Sequence, residues 1–213
     1  MCKSLVLLYQ AGTPLHVSSS DVGEPKLMVS KIVKPVKYHS PEIREWVWEY
    51  EVQTEAQPSN KRIQVVWNSE VIADTRRSYR CTEMGVAPLY FIPAQDVAME
   101  YFRPTENRTH FEWMGVASYW SIVIKKRELP GAVLSLTEPA APYSKLLNYF
   151  AFRSEKMDQA TVDGNLVRPM MCEKYMGWVT PDIMGPFKSE SGSEERIKLM
   201  SQILRERGVT IGK

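Results

Sequence analysis

The sequence predicts a mainly β protein, a small β-barrel or sandwich of short antiparallel strands followed by one C-terminal α-helix. Three observations carry that expectation. Short runs rich in β-branched and aromatic residues recur along the chain with turn residues between them, as sandwiches and small barrels require. Two intervals, Asn68-Ser69 and Asp163-Gly164, have the chemistry of tight hairpin turns. A 3.6-residue apolar period is convincing only near the C-terminus.

Residues 1–40 are irregular. Gly12, Pro14, Ser18 to Ser20, Gly23, Pro25 and Pro35 interrupt any long period, and only Lys26 to Val36 suggests an extended segment. This stretch reads as an arm wrapping on the domain. Residues 41–190 read as the β domain. Within it, Glu45 to Val52 alternates as a strand, with Trp46, Trp48, Tyr50 and Val52 on one face. Gln57 to Asn60 makes a turn. Arg62 to Asp74 forms a hairpin around Asn68-Ser69, and Leu89 to Ile92, Ala98 to Phe102, Ala117 to Ile124 and Ala132 to Leu136 follow as strands. Thr161 to Val167 gives a second hairpin, because Asp-Gly suits a turn that needs positive φ. Residues 191–213 carry the helix. Ser191 and Glu194 have capping-box spacing, Ile197, Met200, Ile203 and Leu204 form the apolar stripe, and Gly208 is its stop. That stripe suits packing or homodimer formation.

The bulk numbers exclude several classes. With 213 residues and 44% hydrophobic composition, one ordinary core needs no staples. A formal charge of +2, with 27 basic and 25 acidic residues interspersed, gives no clustered basic stripe for nucleic acid. The run Leu5 to Leu8 is too short for a signal-peptide core or a membrane span. Cys2, Cys81 and Cys172 are too scattered for a disulfide framework or a zinc site, so they read as reduced thiols of a cytoplasmic protein. Cys81 follows a basic run that could lower its pKa, but a small buried apolar residue is the favoured reading.

Three blocks resemble a known family. The first runs from Val66 to Arg77 and continues through Arg80, Glu83, Pro88, Tyr90, Pro93 and Asp96. The second is Phe111-Glu112-Trp113-Met114-Gly115, continuing to Trp120. The third joins Tyr149 to Phe152, Val162-Asp163-Gly164, and Gly177 to Lys188. Together, over residues 61–188, they resemble the bacterial, fungal and cyanobacterial family known as domain of unknown function 427. The resemblance implies a hairpin with an aspartate–arginine corner followed by a proline-bounded strand. It also implies a cysteine where this chain has Phe111, a lysine where it has Met114 and a turn glycine where it has Ser69. Both exchanges in the second block are apolar and predict a drier wall suited to an apolar ligand. The family's nucleotidyltransferase label finds no support in the residues. No spaced aspartates for Mg²⁺ and no phosphate-cradling glycine loop occur, so nucleotidyl transfer stands only as a third reading.

Four residues are the candidate catalytic groups: Glu83, His110, Glu112 and Tyr119. His110 and Glu112 have alternate spacing and could pair as an acid/base unit. Glu83 reads either as a structural partner of Arg80 or Arg77 or as a general base. Glu112 and Tyr119 flank the Gly115 bend, where both could line a cavity with Trp113. Arg80, Tyr90, Phe111, Trp113, Met114 and Trp120 are the candidate substrate-binding wall, although aromatic residues of this kind, Trp178 included, are as readily core. Asp182 reads as a turn residue, and Lys188 as a solvated lysine or one that could reach an anionic group.

These residues point to a small-molecule enzyme with no cofactor and no metal. It would be of isomerase, cyclase or dehydratase type and act on a small hydrophobic organic substrate of secondary metabolism, in a pocket with acid/base groups. The alternative is a non-catalytic module that binds small molecules or proteins. Neither reading involves nucleic acid or a membrane.

Overall fold

The computed structural model describes residues 44–51, 55–170 and 176–188, together with the isolated helical positions Lys198, Gln202 and Glu206. Two sheets make the architecture. The first is built on the predicted hairpin of β3 (Ile63–Trp67) and β4 (Glu70–Thr75). Asn68 at φ 51° and Ser69 at φ 64° both take the left-handed conformation of a type I′ turn, whose twist matches that of the flanking strands. The second hairpin, β11 (Gln159–Val162) with β12 (Asn165–Leu166), turns at Asp163 and Gly164 in the same way. The two hairpins join through β11 and β3 into a four-stranded sheet ordered β12-β11-β3-β4.

The second sheet contains β2 (Glu55–Ser59), β5 (Ser78–Glu83), β6 (Val86–Pro93), β7 (Phe102–Phe111), β8 (Gly115–Ile124), β9 (Arg127–Pro139) and β10 (Tyr149–Phe152). Its seven strands run β2-β5-β6-β10-β9-β8-β7, every neighbouring pair antiparallel. The described ladders do not pair β2 with β7, so the order stays open. The fold is a sandwich and not the closed barrel that was the other expectation. Two short pairs complete it: β1 (Glu45–Trp46) with β15 (Ile183–Met184), and β13 (Arg168–Pro169) with β14 (Trp178–Val179).

Alternation along the strands divides the core. Ile63 and Val65 of β3 and Ala160 and Val162 of β11 meet Tyr90, Ile92, Phe150 and Phe152 of the larger sheet. Trp178 is fully buried among them, its ring centroid 5.6 Å from that of Tyr90 and its indole N–H donating to the Phe152 carbonyl at 3.1 Å. On the other face of the same sheet, Cys81, Phe91, Leu134, Leu136 and Ala151 pack with Tyr143 and Leu146 from the 3₁₀ turn Ala141–Leu146. The larger sheet is therefore covered on both faces.

Several expectations need correction. Glu45 to Val52 is not one strand: β1 stops at Trp46, and Val47–Glu49 is a 3₁₀ turn. The reason is that Val47 and Trp48 both bury in one cluster with Met84, Val86 and Phe187. A pleated strand would send them to opposite faces. The indoles of Trp46 and Trp48 also donate to successive carbonyls, Gly185 at 3.1 Å and Pro186 at 2.6 Å. Ala98 to Tyr101 is likewise not strand. The 3₁₀ turns Ala94–Asp96 and Met99–Tyr101 carry the chain from β6 to β7, and the Ala98 N–H goes to the Ile72 carbonyl. The arm of residues 1–40 lies outside the described residues. So does the C-terminal helix, apart from the three isolated helical positions, and with it the homodimer expected through it.

Because Trp178 fills space between the sheets and satisfies a buried carbonyl, Trp178→Ala should cost about 3–5 kcal/mol of stability. Urea unfolding followed by circular dichroism would show this as a lowered midpoint with an unchanged slope.

Candidate functional site

A cavity of about 500 Å³ opens on the outer face of the larger sheet. Its floor follows from alternation. Cys81 and Glu83 on β5, Leu89 and Phe91 on β6, Leu134 and Leu136 on β9 and Tyr119 on β8 all line it. One rim is the tip of the β7–β8 hairpin, Thr109 to Met114, and the other is Met176-Gly177. The hairpin tip depends on Gly115. At φ 95° it adopts a conformation closed to most side chains, and an added Cβ would lie 2.3 Å from the Glu138 carbonyl oxygen. The opposite rim comes as close: a Cβ on Gly177 would stand 2.5 Å from the Ala87 carbonyl oxygen.

All four candidate catalytic residues line this one cavity, together with Phe111, Trp113 and Met114. They sit at different depths. His110, Glu112 and Trp113 are exposed at the rim, whereas Glu83 and Tyr119 are half-buried. His110 is the last residue but one of β7 while Glu112 lies in the hairpin turn, and no hydrogen bond joins them among those described. Tyr119 is held at both ends. The Thr105 hydroxyl donates to its backbone carbonyl at 2.9 Å, and the Thr109 hydroxyl donates to its phenolic oxygen at 3.2 Å. That leaves the phenolic O–H available as a donor.

Three candidate wall residues fall elsewhere, for one physical reason. Arg80, Tyr90 and Trp120 each stand one position from a lining residue, and one position on a strand reverses the face. Tyr90 packs between the sheets against Trp178, and Trp120 meets Phe150 edge-on at 5.4 Å between centroids. Arg80 donates to the Glu45 carboxylate and to the Tyr50 hydroxyl, its guanidinium 5.4 Å from the Tyr50 ring centroid. Burial pushes the Tyr50 phenol above its ordinary pKa despite that guanidinium.

The ion pairs of the corner also differ from expectation. Glu83 pairs with neither Arg80 nor Arg77: Lys188 donates to its carboxylate at 3.1 Å, and Arg77 pairs with Asp96 at 2.6 Å. Lys188 is therefore not a free surface lysine. Asp182 accepts from Lys61 at 2.9 Å and from the Thr180 hydroxyl at 2.5 Å, so it is more than a turn former. These contacts hold its carboxyl below the usual carboxylate range against the desolvation that would raise it.

Sequence reasoning missed Cys81, Leu89, Phe91, Leu134 and Leu136 as cavity wall. The signal was present, since each pair shares strand parity, but assigning a face required the sheet order. Among the described residues, no three His, Cys, Asp or Glu side chains gather to hold a metal ion. No helix of these residues is long and apolar enough to cross a membrane.

Burial pushes the Cys81 thiol from 9.0 up to about 12, with Lys145 opposing it. The folded state then keeps a proton that the unfolded chain releases. Stability held below about pH 9 is lost as pH rises toward about 12, at up to roughly 1.4 kcal/mol per pH unit from this group. Urea midpoints measured across that window should fall less steeply in Cys81→Ala than in the wild type. Equal slopes would mean the thiol is not desolvated as described.

Residues 55–163 match the family model described as Domain of unknown function (DUF427), just over half of the 213-residue chain. The match takes in β2 through β11, and so most of the cavity floor and the hairpin rim. The segment from Gly177 to Lys188, which supplies the second rim and the partner of Glu83, lies beyond it. No curated protein matches the chain. The protein belongs to the DUF427 family.

Proposed function

We propose that this protein is a cofactor-independent small-molecule enzyme of isomerase, cyclase or dehydratase type. It would act in the cytoplasm on a hydrophobic organic substrate of secondary metabolism. One observation carries the reading: a carboxylate, Glu83, and a phenol, Tyr119, face the same cavity, whose remaining wall is largely aliphatic and aromatic. A volume near 500 Å³ accommodates a drug-sized molecule.

The chemistry needs only proton movement. With a substrate carbonyl oxygen against the Tyr119 O–H, Glu83 takes a proton from the adjacent carbon, and the phenol stabilises the enolate oxygen that forms. Return of that proton to a different carbon completes an isomerisation, and the carboxylate is regenerated. Loss of a β-hydroxyl, protonated from the rim by His110 or Glu112, completes a dehydration instead. The apolar wall excludes bulk water, which strengthens each of these electrostatic contacts.

A second reading, a binding module without turnover, is favoured by the Lys188–Glu83 ion pair, because the ammonium at 3.1 Å already engages the carboxylate that catalysis would need.

Untargeted metabolite profiling separates the two. Incubated with a small-molecule extract, the wild type should convert at least one apolar compound to an isomer or to a product lighter by one water. Glu83→Gln and Tyr119→Phe should each slow that conversion by about a hundredfold or more. A compound retained by the wild type in native mass spectrometry but never converted would establish the binding module and end the enzymatic reading.

A further inference from the structure

Tyr119 stands opposite a bulge. Pro104 of β7 pairs with Trp120 and Arg108 with Ser118, so Thr105, Glu106 and Asn107 together face Tyr119. Thr105 spans the gap with its side chain: its hydroxyl donates to the Tyr119 carbonyl at 2.9 Å and accepts from the Asn107 N–H at 3.3 Å. On the opposite side Tyr119 is in register with Leu134 of β9. The backbone under the phenol is thus held from both neighbouring strands. Past the bulge the ladder resumes with Thr109 opposite Ala117, which sets Thr109 diagonally across from Tyr119 on the same face. Both side chains line the cavity, both are half-buried, and the Thr109 hydroxyl donates to the phenolic oxygen at 3.2 Å.

We infer that Thr109 is a positioning residue that fixes the Tyr119 phenol as a donor, and so makes the cavity select carbonyl compounds, ligands whose polar atom accepts and carries no hydrogen. The inference deepens the reading of this cavity as a substrate site and rests on it. Conjugation keeps a phenolic hydrogen near the ring plane, on one side of the oxygen or the other. A donor seated on one side drives that hydrogen to the other. Among the described hydrogen bonds none uses the Tyr119 hydrogen, and Tyr119 lines the cavity, so a ligand acceptor is its partner. A ligand N–H in the same place would meet a hydrogen instead of a lone pair. Accepting from Thr109 also makes the phenol the stronger donor, because hydrogen bonds in series polarise one another. Without the threonine hydroxyl the phenol is free to turn, and the cavity loses its preference for acceptors over donors.

Three uncharged tricyclic probes of nearly equal shape test it by equilibrium dialysis at neutral pH. At the same ring position 9-fluorenone carries an acceptor, carbazole a donor and fluorene neither. The wild type should bind 9-fluorenone tighter than fluorene by about threefold or more, and Tyr119→Phe should lose most of that preference. Thr109→Val, close to threonine in shape, should lower the affinity of 9-fluorenone relative to carbazole by about threefold or more, and Thr109→Ser should keep the wild-type ratio. Any bond from the carbazole N–H to Glu83 is common to these proteins and cancels between them. A threonine that only supports the fold would shift all three probes together and leave their ratios standing. If Thr109→Val does not fold, Thr109→Ala, which also lacks the hydroxyl, decides by the same ratio. A ratio within about twofold of wild type would overturn the positioning role while leaving the cavity as a ligand site, and so would an undiminished 9-fluorenone preference in Tyr119→Phe. Failure of the wild type to bind any probe would overturn both.

Discussion

Tyr90 and Phe91 are neighbours on β6, and they point to opposite sides of the seven-stranded sheet. The same division separates Trp120 from Tyr119 on β8 and Arg80 from Cys81 on β5. A strand repeats every two residues, so one registration of the sheet decides both which side chains join the inter-sheet core and which face the cavity. The four-stranded sheet covers one face with Ile63, Val65, Ala160 and Val162. Among the described residues, no second sheet covers the other face. It is closed by a 3₁₀ turn at one end and a hairpin tip at the other, which leaves the cavity between them. A register slip of one residue would place Glu83 and Tyr119 in the inter-sheet core, where a carboxylate costs several kcal/mol without a partner.

The β5–β6 turn shows how a site is held without helices. Gly85 is gripped from two sides, by the Val47 carbonyl and by Lys188. Those two partners come from segments 141 positions apart in the sequence that meet through β1 and β15. Trp46 and Trp48 tie the same segments together through the carbonyls of Gly185 and Pro186. The long-range contacts close a large loop in the chain, and the site inherits its rigidity from them.

How much of this was legible in the sequence depended on the range of the interactions. The two hairpins were, because their turns are local: Asn68-Ser69 and Asp163-Gly164 need positive φ, and the flanking residues alternate. The all-β character followed from the same pattern repeated. The segment after Glu45 was not, because its conformation is set by carbonyls at Gly185 and Pro186 that no local period reveals. Of the site, the hairpin block from His110 to Tyr119 was legible from its bend glycine and mixed chemistry, and the structure places all four proposed catalytic groups on one cavity. The partner of Glu83 was not legible. Arg80 and Arg77 were near in sequence, yet each is drawn off by another acid, Glu45 and Asp96, and the ammonium arrives from Lys188.

Phe111 and Met114 connect that distant cation to the rim. The family resemblance implies a cysteine and a lysine at those places, and here both places are apolar and both line the cavity. A lysine at the position of Met114 would stand on the cavity wall; Lys188 reaches Glu83 from a segment off that wall. With Met114 there, no ammonium stands on the wall at that position, and the one beside the wall carboxylate comes from Lys188. It also lowers the polarity of the rim, where Trp113 is 42% exposed beside Phe111. A less polar rim raises the cost of desolvating an ion at the mouth of the cavity. Met114 therefore spares this wall the positive charge that a lysine in its place would add.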